Sequence, residues 1–124
     1  MLVIREEQLR VFGRSVRRGF VGRLAARFAE IWPERSARLG GGCREFVEAS
    51  VERALSYGLE REKDVARFVN LCFVWGRDFE NRPEHAWARQ ILTSNLRPAV
   101  KIEEMALRTR LKLEAIHYNR RPAG

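Results

Sequence analysis

The sequence predicts an all-α fold, a compact orthogonal bundle of about five or six helices around a central apolar helix at residues 61–75. Three observations lead there. Apolar residues recur at helical spacing through nearly all of the 124 residues, and no alternating run bounded by turns competes. Glycine and proline interrupt that spacing where helices must stop, at Pro33, Gly40 to Gly42, Gly58, Gly76, Pro83 and Pro98. The stretch FVNLCFVW, residues 68–75, is apolar except for Asn70, in a chain that is 32% charged. A helix apolar around most of its circumference sits inside a bundle, packed by neighbours on several sides.

Taken in order, residues 4–17 put Ile4, Gln8, Val11, Phe12 and Val16 on one stripe. Gly13 weakens this helix by about 1 kcal/mol relative to alanine. Residues 19–32 repeat the pattern with Phe20, Val21, Leu24, Phe28, Ile31 and Trp32. Spacing leaves open whether the two join through Arg17, Arg18 and Gly19. Pro33 stops the second helix or opens a short one through Leu39, because proline fits a first turn but not an interior. After the glycine triplet, a helix from Cys43 to Tyr57 turns Phe46, Val47, Val51, Ala54 and Leu55 inward. Gly58 ends it by adopting positive φ, with Leu59 as the hydrophobic contact of the cap. Acids in EREKD favour the start of the next helix through its dipole. Within that helix Val65, Phe68, Val69, Cys72 and Phe73 form a regular stripe, and Gly76 stops it. RDFENRPEH reads as a loop, and Pro83 opens a short helix through Trp87, Ile91 and Leu92. Beyond TSNLRP a last helix spans 100–118, carrying Ile102, Met105, Ala106, Leu111, Leu113 and Ile116. Its scattered apolar positions leave open whether it packs on its own domain or on another chain. NRRPAG is expected to fray. The chain is thus expected to be one helical domain over 1–124, with 97–124 as its C-terminal helix.

Bulk properties exclude several classes. The longest apolar run, residues 71–75, falls far short of the about 20 residues a membrane helix needs. The start MLVIREEQLR lacks the basic, apolar and small-residue pattern of an export signal, so a cytoplasmic location is expected, with Cys43 and Cys72 as reduced thiols. A net charge of +8 raises nucleic-acid binding as a hypothesis. Its distribution tempers that reading. Residues 1–40 hold nine basic and four acidic groups, residues 41–83 seven and eight, and residues 84–124 eight and four.

No reactive constellation emerges. Cys43 follows GGG and opens a helix, where the dipole favours a thiolate, but neither His85 nor His117 lies in a catalytic signature with it. GGGC lacks the Lys-Ser/Thr of a phosphate loop. Cys43, Cys72, His85 and His117 show no metal-ligand spacing, and no cofactor is expected. Asp78 and Glu80, with Asp64, can be imagined as an acid/base pair, but acids after a helix more often cap the next element or meet an arginine. Trp32, Trp75 and Trp87 read as seals of a core edge, with partner contact as the alternative. The arginines of the first helix (Arg10, Arg14, Arg17 and Arg18) and the basic residues of the last, Arg108 and Arg110 among them, read as a solvated face, as a dock for an acidic protein, or as a nucleic-acid contact. No helix-turn-helix spacing or stacking platform favours the last.

The motifs of residues 1–93 resemble those of small bacterial proteins encoded beside type VI secretion spike-tip and effector genes. The resemblance rests on MLVIREEQLRVF, on Phe28, Trp32 and Pro33, and on Tyr57-Gly58-Leu59. It continues through Glu62 and Asp64, residues 68–75, Gly76 with Phe79, and Pro83 with Trp87. It implies an accessory role: a non-enzymatic, chaperone-like adaptor that holds an effector or spike component. An immunity protein neutralising a co-encoded toxin would have the same gene neighbours, and a nucleic-acid-binding module is the third reading. Arg10, Arg14, Arg17, Arg18, Trp87, Arg108 and Arg110 are the expected partner-binding residues.

Overall fold

Helix α1 (Arg14–Ile31) runs unbroken past Gly19, so the junction that spacing left open is continuous helix. The computed structural model describes residues 14–119, with side chains from Val16 onward. The stripe expected at residues 4–12 and the expected fraying of 120–124 lie outside it. Among the described residues there are helices and no strand: α1, α2 (Pro33–Arg38), α3 (Cys43–Ser56), α4 (Glu62–Trp75), α5 (Ala86–Leu92) and α6 (Pro98–Asn119). Short 3-10 turns occupy Gly40–Gly42, Phe79–Asn81 and Pro83–His85.

Pro33 ends one helix and begins the next. It sits in the first turn of α2, where its missing N–H costs nothing. The Ser36 hydroxyl then bonds back to the Phe28 carbonyl at 3.3 Å, fixing the bend. At the end of α3, Gly58 takes φ +90°. Its N–H reaches the Leu55 carbonyl at 3.0 Å, and Leu59 N–H reaches that of Ala54 at 3.1 Å. This paired pattern is a Schellman cap, and Leu59, fully buried, makes the expected hydrophobic contact.

Helix α4 packs against α1, α3 and α6. Val65, Phe68, Val69 and Cys72 are fully buried and Phe73 nearly so, as the stripe predicts. Phe73 stacks on Phe28 of α1 at 5.1 Å and meets Phe46 of α3 edge-on at 4.8 Å. Phe68 contacts Tyr57 at 6.0 Å and Phe79 at 6.1 Å. Each such side chain contributes about 1.5–3 kcal/mol by leaving water. Asn70, the polar exception, accepts a hydrogen bond from Trp32 Nε1 at 2.9 Å. Arg35 donates to the carbonyls of Phe73 and Val74, satisfying the last turn of α4.

Candidate partner-binding groove

Helix α6 has 22 residues, a length of about 33 Å. Its first half is anchored. Lys101, a member of the basic C-terminal set, is buried rather than solvated. Its Nζ donates to the carbonyls of Tyr57 at 3.0 Å and Leu92 at 2.8 Å. Those carbonyls lie at the C-terminal ends of α3 and α5, where the helix dipoles favour a cation. Ile102 and Met105 are fully buried, and Thr109 accepts a hydrogen bond from Trp75 Nε1 at 3.1 Å.

The second half is bare. Residues 110–119 are all exposed. The inward stripe of Ile102, Met105 and Thr109 nevertheless continues at helical spacing into Leu113 and Ile116, each 40% exposed. A second flank carries Leu107, Leu111 and Tyr118, also exposed. Among the described residues, the apolar surface of α6 extends beyond the helices that cover its first half.

A groove of about 550 Å³ follows this overhang, lined by Asn70, Leu71 and Val74 of α4 and by Ala106, Thr109, Arg110, Leu113, Glu114, His117 and Tyr118 of α6, so that one cation and one acid face it. A second hollow of about 410 Å³ shares Asn70, Leu71 and Ala106 with it and extends to Phe28 and Ile31 of α1. Together they form a trough from the end of α1 to the end of α6. Val74 therefore differs from the expectation that α4 is covered on all sides: it is half-buried and faces the trough. On the rim, Arg67 pairs with Glu103 at 3.1 Å and Arg108 with Glu104 at 3.7 Å. Arg110 has no ionic partner among the described residues.

The residues expected to bind a partner do not form one surface. Arg10 and the side chain of Arg14 lie outside the described residues. Arg17 is bound to Glu52 at 2.9 Å, and with Arg18 it lines a separate hollow between α1 and α3. Trp87 is half-buried; Trp75 meets it edge-on at 6.2 Å, and Lys112 Nζ stands 5.2 Å above its ring. Its Nε1 is buried without a hydrogen-bond partner among the described residues. Arg110 lines the groove, whereas Arg108 is turned to Glu104. Leu71, Val74 and Ala106 complete the groove unannounced. The sequence signal that could have found it is the overlong stripe ending in Leu113 and Ile116.

The other candidates resolve into internal structure. Glu80 is 1% exposed. Its Oε2 accepts from Arg53 Nε and from the Tyr57 hydroxyl, both at 2.8 Å. Burial pushes the Glu80 carboxyl up, but those two bonds outweigh it and hold it below the usual carboxylate range. Burial and the same contact push Tyr57 up to about 12. Asp78 reaches Arg53 at 3.3 Å, so the acids following α4 meet an arginine. Burial likewise pushes the Cys72 thiol up to about 11. Cys43 lies 3.8 Å from the Ser36 hydroxyl. His85 is buried and donates from Nδ1 to the Phe79 carbonyl at 3.0 Å, beside Trp75 at 4.9 Å. No group of three metal-ligating side chains occurs among the described residues, and no described helix is long and apolar enough to cross a membrane.

Fold and site together define an all-α protein in which Asp78, Glu80, Cys72 and His85 are engaged in internal bonding and in which an apolar trough lies open between helices. No protein-family profile, curated protein or solved structure matches the chain.

Proposed function

We propose that this chain is a non-enzymatic, chaperone-like adaptor of a bacterial type VI secretion effector module, acting in the cytoplasm on an effector or spike component. The observation that carries the binding role is the uncovered apolar half of α6 with the trough beside it. Contiguous apolar surface of this kind on a folded domain marks an interaction site. The link to secretion rests on the resemblance across residues 1–93. In mechanism, the net charge of +8 steers an acidic partner toward the chain. The apolar stripe of α6 then supplies affinity by leaving water.

Co-expression with the products of adjacent genes tests the reading. An adaptor co-purifies with one of them and raises its soluble yield. Rescue of cells from a neighbour's toxicity, with export of that neighbour unaffected, would instead identify an immunity protein. Retention of plain duplex DNA, with steep salt dependence, would favour the nucleic-acid module.

A further inference from the structure

We propose that the hollow between the first turns of α4 and α6 binds a small zwitterion, with its ammonium on Asp64 and its carboxylate on the first turn of α6. The two helices begin side by side, and this hollow lies at the opposite end of the pair from the trough. It measures about 560 Å³, a size typical of small-ligand sites. Gly58, Arg61 and Asp64 line one side, and Arg97, Pro98 and Ala99 line the other. The inference does not rest on the adaptor reading.

Asp64 is the residue that points to a ligand. It sits in the first turn of α4, is 5% exposed, and is the one buried residue of the lining. Its carboxylate has no hydrogen-bond or ionic partner among the described residues. The dipole of α4 favours an acid there, but a dipole fills none of the acceptor sites of a carboxylate. A buried acceptor left without a donor is costly, and Asp64 opens onto the hollow. A metal ion suits the position poorly. No group of three ligating side chains occurs among the described residues, and hard cations take about six or more oxygens. An ammonium, with several donors on one charged centre, matches a single carboxylate.

The opposite wall favours an anion. Pro98, the first residue of α6, has no N–H. Lys101 N–H bonds to the Arg97 carbonyl at 2.9 Å, so the helix ladder begins there. The N–H groups of Ala99 and Val100 precede that bond and have no acceptor among the described residues. The Arg97 side chain carries no oxygen to cap them, and the first turn of α6 holds no acid. These exposed donors, at the positive end of a 22-residue helix, suit a carboxylate. An anion alone would set a like charge near Asp64 and leave it unpartnered. A cation alone would leave the α6 donors empty and stand near Arg97. A ligand bearing both charges satisfies both walls. The lining is itself balanced, with Glu60 and Asp64 against Arg61 and Arg97.

The test is calorimetric titration of the full chain with straight-chain amino acids, from glycine up to about five methylenes between the two charges. Each is compared with the alkylamine and the alkanoate of the same length. One member of the series is expected to bind at least about tenfold tighter than either of its one-charge analogues. Its affinity should fall at least about tenfold in Asp64→Asn, while the urea midpoint of the free protein falls little, because the carboxylate has no protein partner to lose. In Arg97→Ala, at an exposed position, affinity should fall about threefold or more. That variant carries the test where Asp64→Asn fails to fold. Leu113→Asp, at the far end of the helix pair, should bind as the wild type does. A series in which no member binds tighter than its analogues overturns the proposal, as does unchanged binding in Asp64→Asn or Arg97→Ala. An alkanoate that binds as tightly as the amino acid also overturns it, by making the hollow an anion site. So does an equal loss in Leu113→Asp, which would mark nonspecific adsorption. A large drop in the urea midpoint of Asp64→Asn with ligand binding unchanged would assign Asp64 to the fold alone.

Discussion

Glu80 is a carboxylate withdrawn from water and supplied with two donors. Its folded state holds the proton less tightly than the unfolded chain does. The stability it contributes is therefore complete above the ordinary glutamate value of about 4.3 and is lost as pH falls through the lower folded value. Glu80→Gln should cost about 2 kcal/mol at neutral pH, since Arg53 loses a charged partner. It should also flatten the acid limb of a stability–pH profile measured by urea unfolding. An acid limb as steep as that of the wild type would remove Glu80 from the account. The two cysteines give a second reading of closure. Cys72 is fully buried and Cys43 only half-buried. A thiol reagent should label one cysteine promptly in the native protein and the other only on unfolding; two prompt reactions would mean the core around α4 is open. At this scale the sequence is only partly legible. Acids after α4 suggest an arginine partner, but Arg53 lies 27 positions away, and no spacing rule reaches that far. Lys101 reads as one more surface cation because its two carbonyl partners are set by where α3 and α5 end.

Helices α4 and α6 make opposite predictions for the same kind of substitution. Phe68 is fully buried, so Phe68→Ala should cost about 3–5 kcal/mol. Leu113→Asp, at an exposed position, should change stability by about 0.5 kcal/mol or less. Chemical denaturation of both variants checks the pair, and a large loss at Leu113 would mean that α6 is covered after all. Removing residues 114–124 should likewise leave cooperative unfolding intact while abolishing partner capture. Helix positions were legible because glycine and proline mark their ends: Gly58 and Gly76, at φ +90° and +107°, sit where side-chain-bearing residues would be strained. The continuity of α1 was not, because a helical glycine costs only about 1 kcal/mol and tertiary packing overrides it. The apolar stripe of α6 was visible, but its overhang was not. Overhang depends on how far α4 and α5 extend beside it, a property of neighbours rather than of the helix itself.

Across the whole molecule the basic ends and the near-neutral middle are joined. Arg17 and Arg23 of α1 pair with Glu52 of α3 and Glu62 of α4, and Arg67 of α4 pairs with Glu103 of α6. Exposed pairs of this kind stabilise little. They do absorb part of the cationic surface of α1. The association rate with an acidic partner should fall as ionic strength rises, while dissociation, governed by apolar contact, changes less; stopped-flow mixing at several salt concentrations separates the two. The distribution of charge was readable from composition, but which cations remain available was not, because ion pairing joins residues about forty positions apart. The central claim is that the stripe of α4 from Val65 to Phe73 is closed within the chain and that recognition belongs to the outer half of α6. Amide hydrogen exchange of the chain, alone and with the neighbouring gene product it captures, tests this most directly. The account predicts strong protection of residues 65–73 in both states and new protection of residues 110–119 only in the complex. Rapid exchange across residues 65–73 in the free chain, or a complex that leaves residues 110–119 unprotected, would contradict it.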